Sequence, residues 1–403
     1  MRHHGTGPDA SASGVAVVVS GAGARGAYEA GALSVILPAL GVRQPQFYVG
    51  ASAGAINSLG FAALSHLDPA EAGERVLALW RGIHRGHVFR SPAETMLLAG
   101  VRRLLRGGGR RHRPVSLFDT APLHDTLGRV LNWDQLHVNI RHGRVAACGV
   151  VATAMRTHRS TVFLECHPSV AVPDHDPVRD IGFTASTLTP AHVAGSSAIP
   201  AVFPAIGIAG TGTGAGAGSG SGSEWYVDGG VRLNTPIKPA LMLGARRIVV
   251  VATVPASLPA LPADERGDPP GIASGLIDIL RAVTVDPMVE DLRSLVNDNR
   301  RAARSAPAGP QEPWPRTVEY VFAGPQYPDA LGELAGRVLR KRGWWSPLRG
   351  LISGSGDLCE LASHVLFDPD FIDGAIEMGR GDASRQLEDG AVAWKCCELP
   401  DSG

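Results

Sequence analysis

A serine lies between two glycines where an apolar, strand-like segment meets a helix-like one. The segment is GASAG, with Ser52 between Gly50 and Gly54. In a G-x-S-x-G turn the glycines avoid steric conflict as strand and helix approach, and the serine hydroxyl stays exposed. The N-terminus of the following helix favours negative charge developing nearby. The pattern predicts a serine nucleophile, and the alternative is a tight glycine- and alanine-rich turn whose serine caps the helix.

A nucleophilic serine needs a group that accepts its proton, and in the common triad that group is a histidine held by a carboxylate. The chain has 14 histidines. His192 lies in TPAHVAGSSAIPAVFP, which we interpret as a helix and loop with His192 in a packing or capping role. His364 lies in ELASHVLFDP, where the pattern indicates a helix. Neither histidine lies in a recognisable strand-end loop.

An aspartate is the better candidate for the base. The segment WYVDGGVRLNTPI carries Asp228 to the end of a strand, and Gly229 and Gly230 let the chain turn closely past it. A partly desolvated carboxylate that is hydrogen-bonded to the serine can act directly as the base. The alternative is an Asp-Gly turn with purely local hydrogen bonds.

A glycine-rich loop, GAGARG, follows the first apolar segment. A dinucleotide fingerprint would need an acidic residue ~20 positions later, and none occurs between Glu29 and Asp68. A P-loop is excluded because no Lys-Ser/Thr follows. The remaining interpretations are an oxyanion hole of backbone N–H groups, with Arg25 adding positive charge, or a helix start that needs glycine for steric reasons. The candidate oxyanion residues are Gly21, Ala22, Gly23, Ala24, Arg25 and Gly26.

Apolar, strand-like segments alternate with helix-like ones. The strand candidates are VAVVVS (15–20), PQFYVGA (45–51), RVAACGVVAT (144–153), TVFLEC (161–166) and RRIVVVAT (246–253). This alternation predicts an α/β fold with a mainly parallel central sheet covered by helices.

Changes in composition predict the domain organisation. We expect a flexible leader at 1–13, a catalytic domain at 14–253 with a Gly-rich insert at 207–223, a Pro-rich connection at 254–271 and a mostly helical C-terminal extension at 272–403 that packs on the core.

The bulk composition excludes several classes. The chain has 403 residues, 44% of them hydrophobic, so a sizeable core is expected. A net charge of zero argues against a general nucleic-acid binder. The five cysteines show no paired metal spacing and favour a reducing compartment. We find no secretory signal or apolar run of ~18 residues, so we expect a cytoplasmic protein without a transmembrane helix.

Two basic stretches could bring the protein to a membrane surface. Residues 96–114 contain six arginines and no acidic residue, and residues 337–351 place Trp344 and Trp345 among five cationic residues. Basic residues with interfacial apolar side chains favour an anionic lipid surface. The alternatives are a solvated loop for the first stretch and buried tryptophans for the second.

Taken in order, GAGARG, GASAG and DGG resemble the patatin-like phospholipase family. The similarity covers about 14–253 and extends to HVAGSSAIPAVFPA (192–205), VDGGVRLNTPI (227–237) and GARRIVVV (244–251). The resemblance implies a three-layer core and a Ser-Asp dyad without histidine, in which Ser52 is the nucleophile and Asp228 the general base. The amides around Ala22, Gly23 and Ala24 would form the oxyanion hole. One departure is Ala22, which replaces the middle of three glycines but keeps its N–H.

The resemblance also implies an activity. The substrates would be phospholipids, lysophospholipids or other fatty-acyl esters, cleaved through an acyl-enzyme as in phospholipase A or lysophospholipase. No cofactor, nucleotide or metal is expected, and we find no calcium loop. An acyltransferase that uses the same dyad remains open, as does a non-catalytic lipid- or protein-binding module. A nucleotide-binding oxidoreductase is disfavoured because the acidic residue is missing.

Overall fold

The computed structural model describes residues 14–41, 44–90, 116, 118–200, 202–209, 224–256, 286–304, 317–342 and 356–400. The predicted leader (1–13), the basic stretch 96–114, and Trp344 and Trp345 lie outside these ranges. Most of the Gly-rich insert and of the Pro-rich connection also lies outside them.

Nine strands form one sheet within the described ranges. They are β1 (Val15–Val19), β2 (Phe47–Ala51), β3 (Ala147–Ala154), β4 (Ser160–Cys166), β5 (Ile181–Ala185), β6 (Ile206–Ile208), β7 (Glu224–Asp228), β8 (Arg247–Val251) and β9 (Glu319–Ala323). The main order is β5-β4-β3-β2-β1-β8-β9, and the five strands from β3 to β9 are parallel. β7 pairs antiparallel with β3 and β6. The sheet is therefore mainly parallel, as predicted.

Helices cover both faces of the sheet. They are α1 (Gly26–Ala39), α2 (Ala53–Leu64), α3 (Pro69–Gly82), α4 (Arg85–Val88), α5 (Ala121–Val130), α6 (Trp133–Arg141), α7 (Pro190–Ser196), α8 (Gly230–Leu233), α9 (Ile237–Met242), α10 (Asp286–Arg304), α11 (Ala330–Arg342), α12 (Gly356–Ser363) and α13 (Pro369–Ser384). None of these helices combines the length and apolar character needed to cross a membrane.

The side chains of β1 divide between two cores. Val15, Val17 and Val19 pack with α1, α2 and α13, whereas Ala16 and Val18 pack with α9 and α10 on the opposite face. Because successive side chains of a strand point to opposite faces, a strand buried on both faces is apolar throughout. The VAVVV run follows from this arrangement, and the three-layer α/β fold is confirmed.

The C-terminal region is helical, as predicted, but it also completes the sheet. β9 pairs in parallel with β8, so the central sheet continues past the predicted end of the catalytic domain. α13 crosses α1 so closely that a Cβ on Gly379 would lie 2.0 Å from the Tyr28 carbonyl oxygen. A second difference concerns the insert at 207–223: its first two residues lie in β6, where they pair with β7.

Candidate active site

The register of β3 places Ser52 and Asp228 side by side. β2 ends at Ala51, which pairs with Val151 of β3. The next β3 residue, Ala152, pairs with Asp228 at the end of β7. β7 therefore continues along β3 from the point where β2 stops. Ser52 directly follows Ala51, so two strands brought together on one partner supply the two predicted catalytic residues.

The serine lies in a sharp, strained turn. Ser52 has φ of 52° and ψ of −126° and immediately precedes α2, a backbone conformation that costs energy for a non-glycine residue. The start of α2 lies so close to the end of β1 that a Cβ on Gly54 would lie 2.2 Å from the Ser20 carbonyl oxygen. A Cβ on Gly50 would lie 2.3 Å from the Gly54 carbonyl oxygen. Both glycines therefore occupy positions where a side chain does not fit.

A second serine, which the sequence did not single out, supports this turn. The Ser52 amide donates to Ser196 Oγ at 2.8 Å, and the Ser196 hydroxyl donates to the Val151 carbonyl. The amide of Gly229 donates to the Ser196 carbonyl at 3.2 Å. Ser196 therefore hydrogen-bonds to the backbone at Ser52 and at Gly229, which follows Asp228. Ser196 lies in the segment HVAGSSAIPAVFPA (192–205), but its partners are far away in sequence.

Asp228 lies in an environment that makes it a stronger base. It is only 6% exposed, and its Oδ1 accepts the Gly230 amide at 2.7 Å. Burial raises the pKa of Asp228 from 3.8 to about 6, against the opposing effect of hydrogen bonds from the Ser52 hydroxyl and the Gly230 amide. A carboxylate with a pKa close to neutrality accepts a proton more readily than an ordinary aspartate does.

The glycine-rich loop leaves two amides available. The Gly21 amide donates to two oxygens of Asn234, the backbone carbonyl oxygen at 3.2 Å and Oδ1 at 3.0 Å. The Ala24 amide donates to the His364 carbonyl at 2.8 Å. Within the described part of the chain, the amides of Ala22 and Gly23 have no acceptor. Of the six predicted oxyanion residues, these two are therefore the donors that a substrate oxygen could use. Gly26 is the first residue of α1, and a Cβ there would lie 2.6 Å from the Trp80 ring.

The side chain of Arg25 departs from the expectation of a positive charge beside the oxyanion. It is buried in the direction of α12, where it lies 2.7 Å from Glu360 Oε1 and donates to Ser363 Oγ at 2.7 Å. The Glu360 carboxylate offsets its charge. Sequence reasoning could not anticipate this direction, because the partner is 335 residues away.

The two histidines near the site do not contact Asp228 in the way a triad histidine would. His192 caps α7 in a reciprocal arrangement with Thr189, and burial lowers its pKa to about 4, so the predicted packing or capping role is confirmed. His364 directly follows α12. Burial and the nearby Arg25 guanidinium lower the pKa of His364 well below its ordinary value.

An apolar cavity begins at Ser52 and runs between the helices. It encloses about 640 Å³ with its mouth included. Its polar lining residues are Ser52, Thr126, Ser197 and His364. Apart from these and Gly23, the cavity is lined by apolar side chains from α2, α3 and the residue after it, α4, α5, the loop after α7 and the loop after α12, namely Ala53, Ile56, Trp80, Ile83, Val88, Leu123, Leu127, Val130, Ile199, Phe203, Val365 and Phe367. Within the described ranges, no three His, Cys, Asp or Glu side chains converge as metal ligands.

Comparison with known proteins identifies the family. The sequence model described as patatin-like phospholipase matches residues 17–241. Among solved structures, VipD from Legionella pneumophila matches with 12% identity and a TM-score of 0.30, over 77% of this chain and 61% of VipD. The chain thus spans less than two thirds of VipD. A search of curated proteins returned no match. From the match over more than half of its length, the chain belongs to the patatin-like phospholipase family, whose members are generally lipid acyl hydrolases.

Proposed function

We propose that the protein hydrolyses fatty-acyl esters of phospholipids or lysophospholipids, with Ser52 as nucleophile and Asp228 as general base. The observation that carries this proposal is the position of Ser52 beside the buried Asp228 carboxylate, at one end of an apolar cavity. A catalytic serine needs a base within hydrogen-bond reach, a donor set for the oxyanion and space for the acyl chain. Each of these has a candidate among the residues described above.

The first half of the reaction would form an acyl-enzyme. Asp228 takes the Ser52 proton as Oγ attacks the ester carbonyl carbon, and the carbonyl π electrons move onto oxygen. The amides of Ala22 and Gly23 then donate to that oxyanion. When the tetrahedral intermediate collapses, the bond to the alkoxy oxygen breaks and protonated Asp228 returns its proton to the leaving alcohol. The acyl group remains on Ser52.

The second half would release the fatty acid. Asp228 takes a proton from a water molecule, whose oxygen attacks the acyl-enzyme carbonyl, and the same two amides stabilise the new oxyanion. Collapse breaks the bond to Ser52 Oγ, which recovers its proton from Asp228. If an alcohol took the place of water, the same residues would transfer the acyl group instead. Hydrolysis and transfer therefore differ in the acceptor and share the dyad.

The cavity supports a lipid acyl group as substrate. Its wall is apolar apart from Ser52, Thr126, Ser197 and His364. Removing apolar surface from water contributes ~0.8 kcal/mol for each buried CH₂ group. An acyl chain would gain more from this cavity with each methylene it inserts, whereas a charged or sugar-like group would lose its hydration there. We therefore expect activity to rise with acyl length until the cavity is filled.

The test compares ester hydrolysis by the wild type with that by Ser52→Ala and Asp228→Asn, on p-nitrophenyl esters and phospholipid vesicles. Matched controls are Ser58→Ala, another buried serine on α2, and Asp291→Asn. Asp291 is a useful control because burial also raises its pKa to about 6, although it lies on α10 and pairs with Arg179. Fluorophosphonate labelling of Ser52 is measured in parallel.

The proposal predicts that each dyad variant loses at least ~10³-fold in kcat/KM while both controls remain close to wild type. An inactive wild type whose Ser52 still labels would indicate a different substrate or acceptor, and acyl transfer would then be tested with added alcohols. A wild type that neither hydrolyses nor labels would refute the proposal and favour a binding role.

A further inference from the structure

The C-terminal region contacts several consecutive residues of the glycine-rich loop, residues 21–26, which we call the oxyanion loop. The Ala24 amide donates to the His364 carbonyl at 2.8 Å. The Arg25 side chain, 1% exposed, donates to the Glu360 carbonyl at 3.0 Å as well as contacting the Glu360 carboxylate and Ser363. We call residues 360–367 the C-terminal clamp.

The loop and the clamp fit so closely that side chains are excluded between them. Gly23 has φ of +58°, and a Cβ there would lie 2.3 Å from the His364 carbonyl oxygen. The His364 ring also lies next to the backbone of Ala22. The clamp therefore contacts both residues whose amides remain available, as well as Ala24 and Arg25.

The clamp also forms part of the substrate cavity. His364, Val365 and Phe367 line it together with Ser52. The family match ends at residue 241, so these residues lie more than one hundred positions beyond it. The structure thus joins a segment outside the family-matched region to the oxyanion loop and to the cavity at once.

We infer that the C-terminal clamp is a working part of the active site, in which Arg25, Glu360 and His364 are positioning residues that fix the amides of Ala22 and Gly23 for the oxyanion. This inference rests on the function proposed above. The physical reason is that oxyanion stabilisation depends on donors already held in place, since a displacement of ~1 Å can cost ~10²-fold in rate. A glycine-containing loop does not hold such a geometry without external contacts. The buried Arg25–Glu360 ion pair and the Ala24–His364 bond supply those contacts.

Glu360→Gln tests the inference, because it keeps the size of the side chain and removes its charge. We expect kcat for a soluble ester to fall by about 10- to 100-fold with KM nearly unchanged, since the two amides act on the transition state. Fluorophosphonate labelling should slow in parallel, and the pH profile should keep its inflection. Glu360→Asp, which retains the carboxylate, should recover part of the activity. If Glu360→Gln does not fold, Ser363→Ala takes its place. It removes one acceptor of Arg25 and should lower kcat by a smaller factor.

A measurement independent of catalysis accompanies the kinetics. Hydrogen exchange of the peptide covering residues 20–26 should become faster in Glu360→Gln. The matched control is Asp370→Asn, which breaks an exposed pair with Lys341 in the same region and should change neither exchange nor kcat. A variant with a lower Tm but unchanged kcat and exchange would overturn the inference. If the wild type neither hydrolyses nor labels, the proposed function fails, and the exchange data alone decide whether the clamp holds the loop.

Discussion

Replacing Asp228 with asparagine should abolish ester hydrolysis and at the same time make the folded protein less sensitive to rising pH. Burial raises the pKa of Asp228 from 3.8 to about 6. A carboxyl group whose folded pKa is raised contributes stability that is fully present below pH 3.8 and is lost as the pH rises through about 6. Near neutral pH the ionised Asp228 therefore lowers the unfolding free energy of the wild type, whereas Asp228→Asn has no such group.

The size of that cost follows from the two pKa values. Moving the pKa from 3.8 to about 6 corresponds to ~3 kcal/mol over the full range. Between pH 5 and pH 8 the wild type should lose ~1.4 kcal/mol of unfolding free energy through this group. The difference in unfolding free energy between Asp228→Asn and the wild type should grow by that amount from pH 5 to pH 8, because the contributions of all other groups cancel. In the same interval kcat/KM of the wild type should rise by about tenfold, since about a tenth of the base is ionised at pH 5.

The assay is urea unfolding of both proteins at pH 5 and pH 8, together with a pH–rate profile of the wild type. Asp291→Asn is the control for the kinetics, because burial raises the pKa of Asp291 to about 6 as well. The inflection near pH 6 should persist in that variant. A flat rate profile down to pH 5, or a difference in unfolding free energy that does not change with pH, would refute the assignment of Asp228 as a desolvated base.

Three further substitutions test other parts of the site. Ser196→Ala removes the hydroxyl between the Ser52 amide and the Val151 carbonyl, so kcat/KM should fall by about 10- to 100-fold, as steady-state kinetics would show. Gly54→Ala should abolish fluorophosphonate labelling, because the new Cβ would lie 2.2 Å from the Ser20 carbonyl oxygen. Gly60→Ala on the same helix is the control, since its Cβ would have no neighbour closer than 3.7 Å. This control should label normally, and its unfolding free energy should be ~0.5–1 kcal/mol higher than that of the wild type. Val130→Phe narrows the cavity and should move the preferred p-nitrophenyl ester to a shorter acyl chain; an unchanged chain-length profile would count against acyl binding there.

The sequence was sufficient for those features that depend on local pattern. An apolar run buried on both faces predicts a central parallel strand, and β1 and β2 lie within the predicted segments. The closeness of Gly50 to the Gly54 carbonyl oxygen is likewise a local property of a sharp strand-to-helix turn. Asp228 could be picked out because a strand leads to it and two glycines follow.

The relation between the two catalytic candidates could not be predicted from the sequence in this way. Ser52 and Asp228 lie together because β3 extends beyond the end of β2 and pairs there with β7. Strand length and register are set by long-range pairing, which a single sequence does not show. The same limitation applies to Arg25, since its direction is decided by a carboxylate on a helix that follows hundreds of residues later.

The environment of the predicted site favours an aspartate over a histidine as a proton acceptor. Burial disfavours the charged form of either group, but the charged form is the base of the aspartate and the conjugate acid of the histidine. The pKa of Asp228 consequently rises to about 6, while that of His192 falls to about 4 and that of His364 falls well below its ordinary value. The same burial thus makes a carboxylate a stronger proton acceptor and an imidazole a weaker one. A dyad in this site gains basicity from desolvation, which a triad histidine would lose.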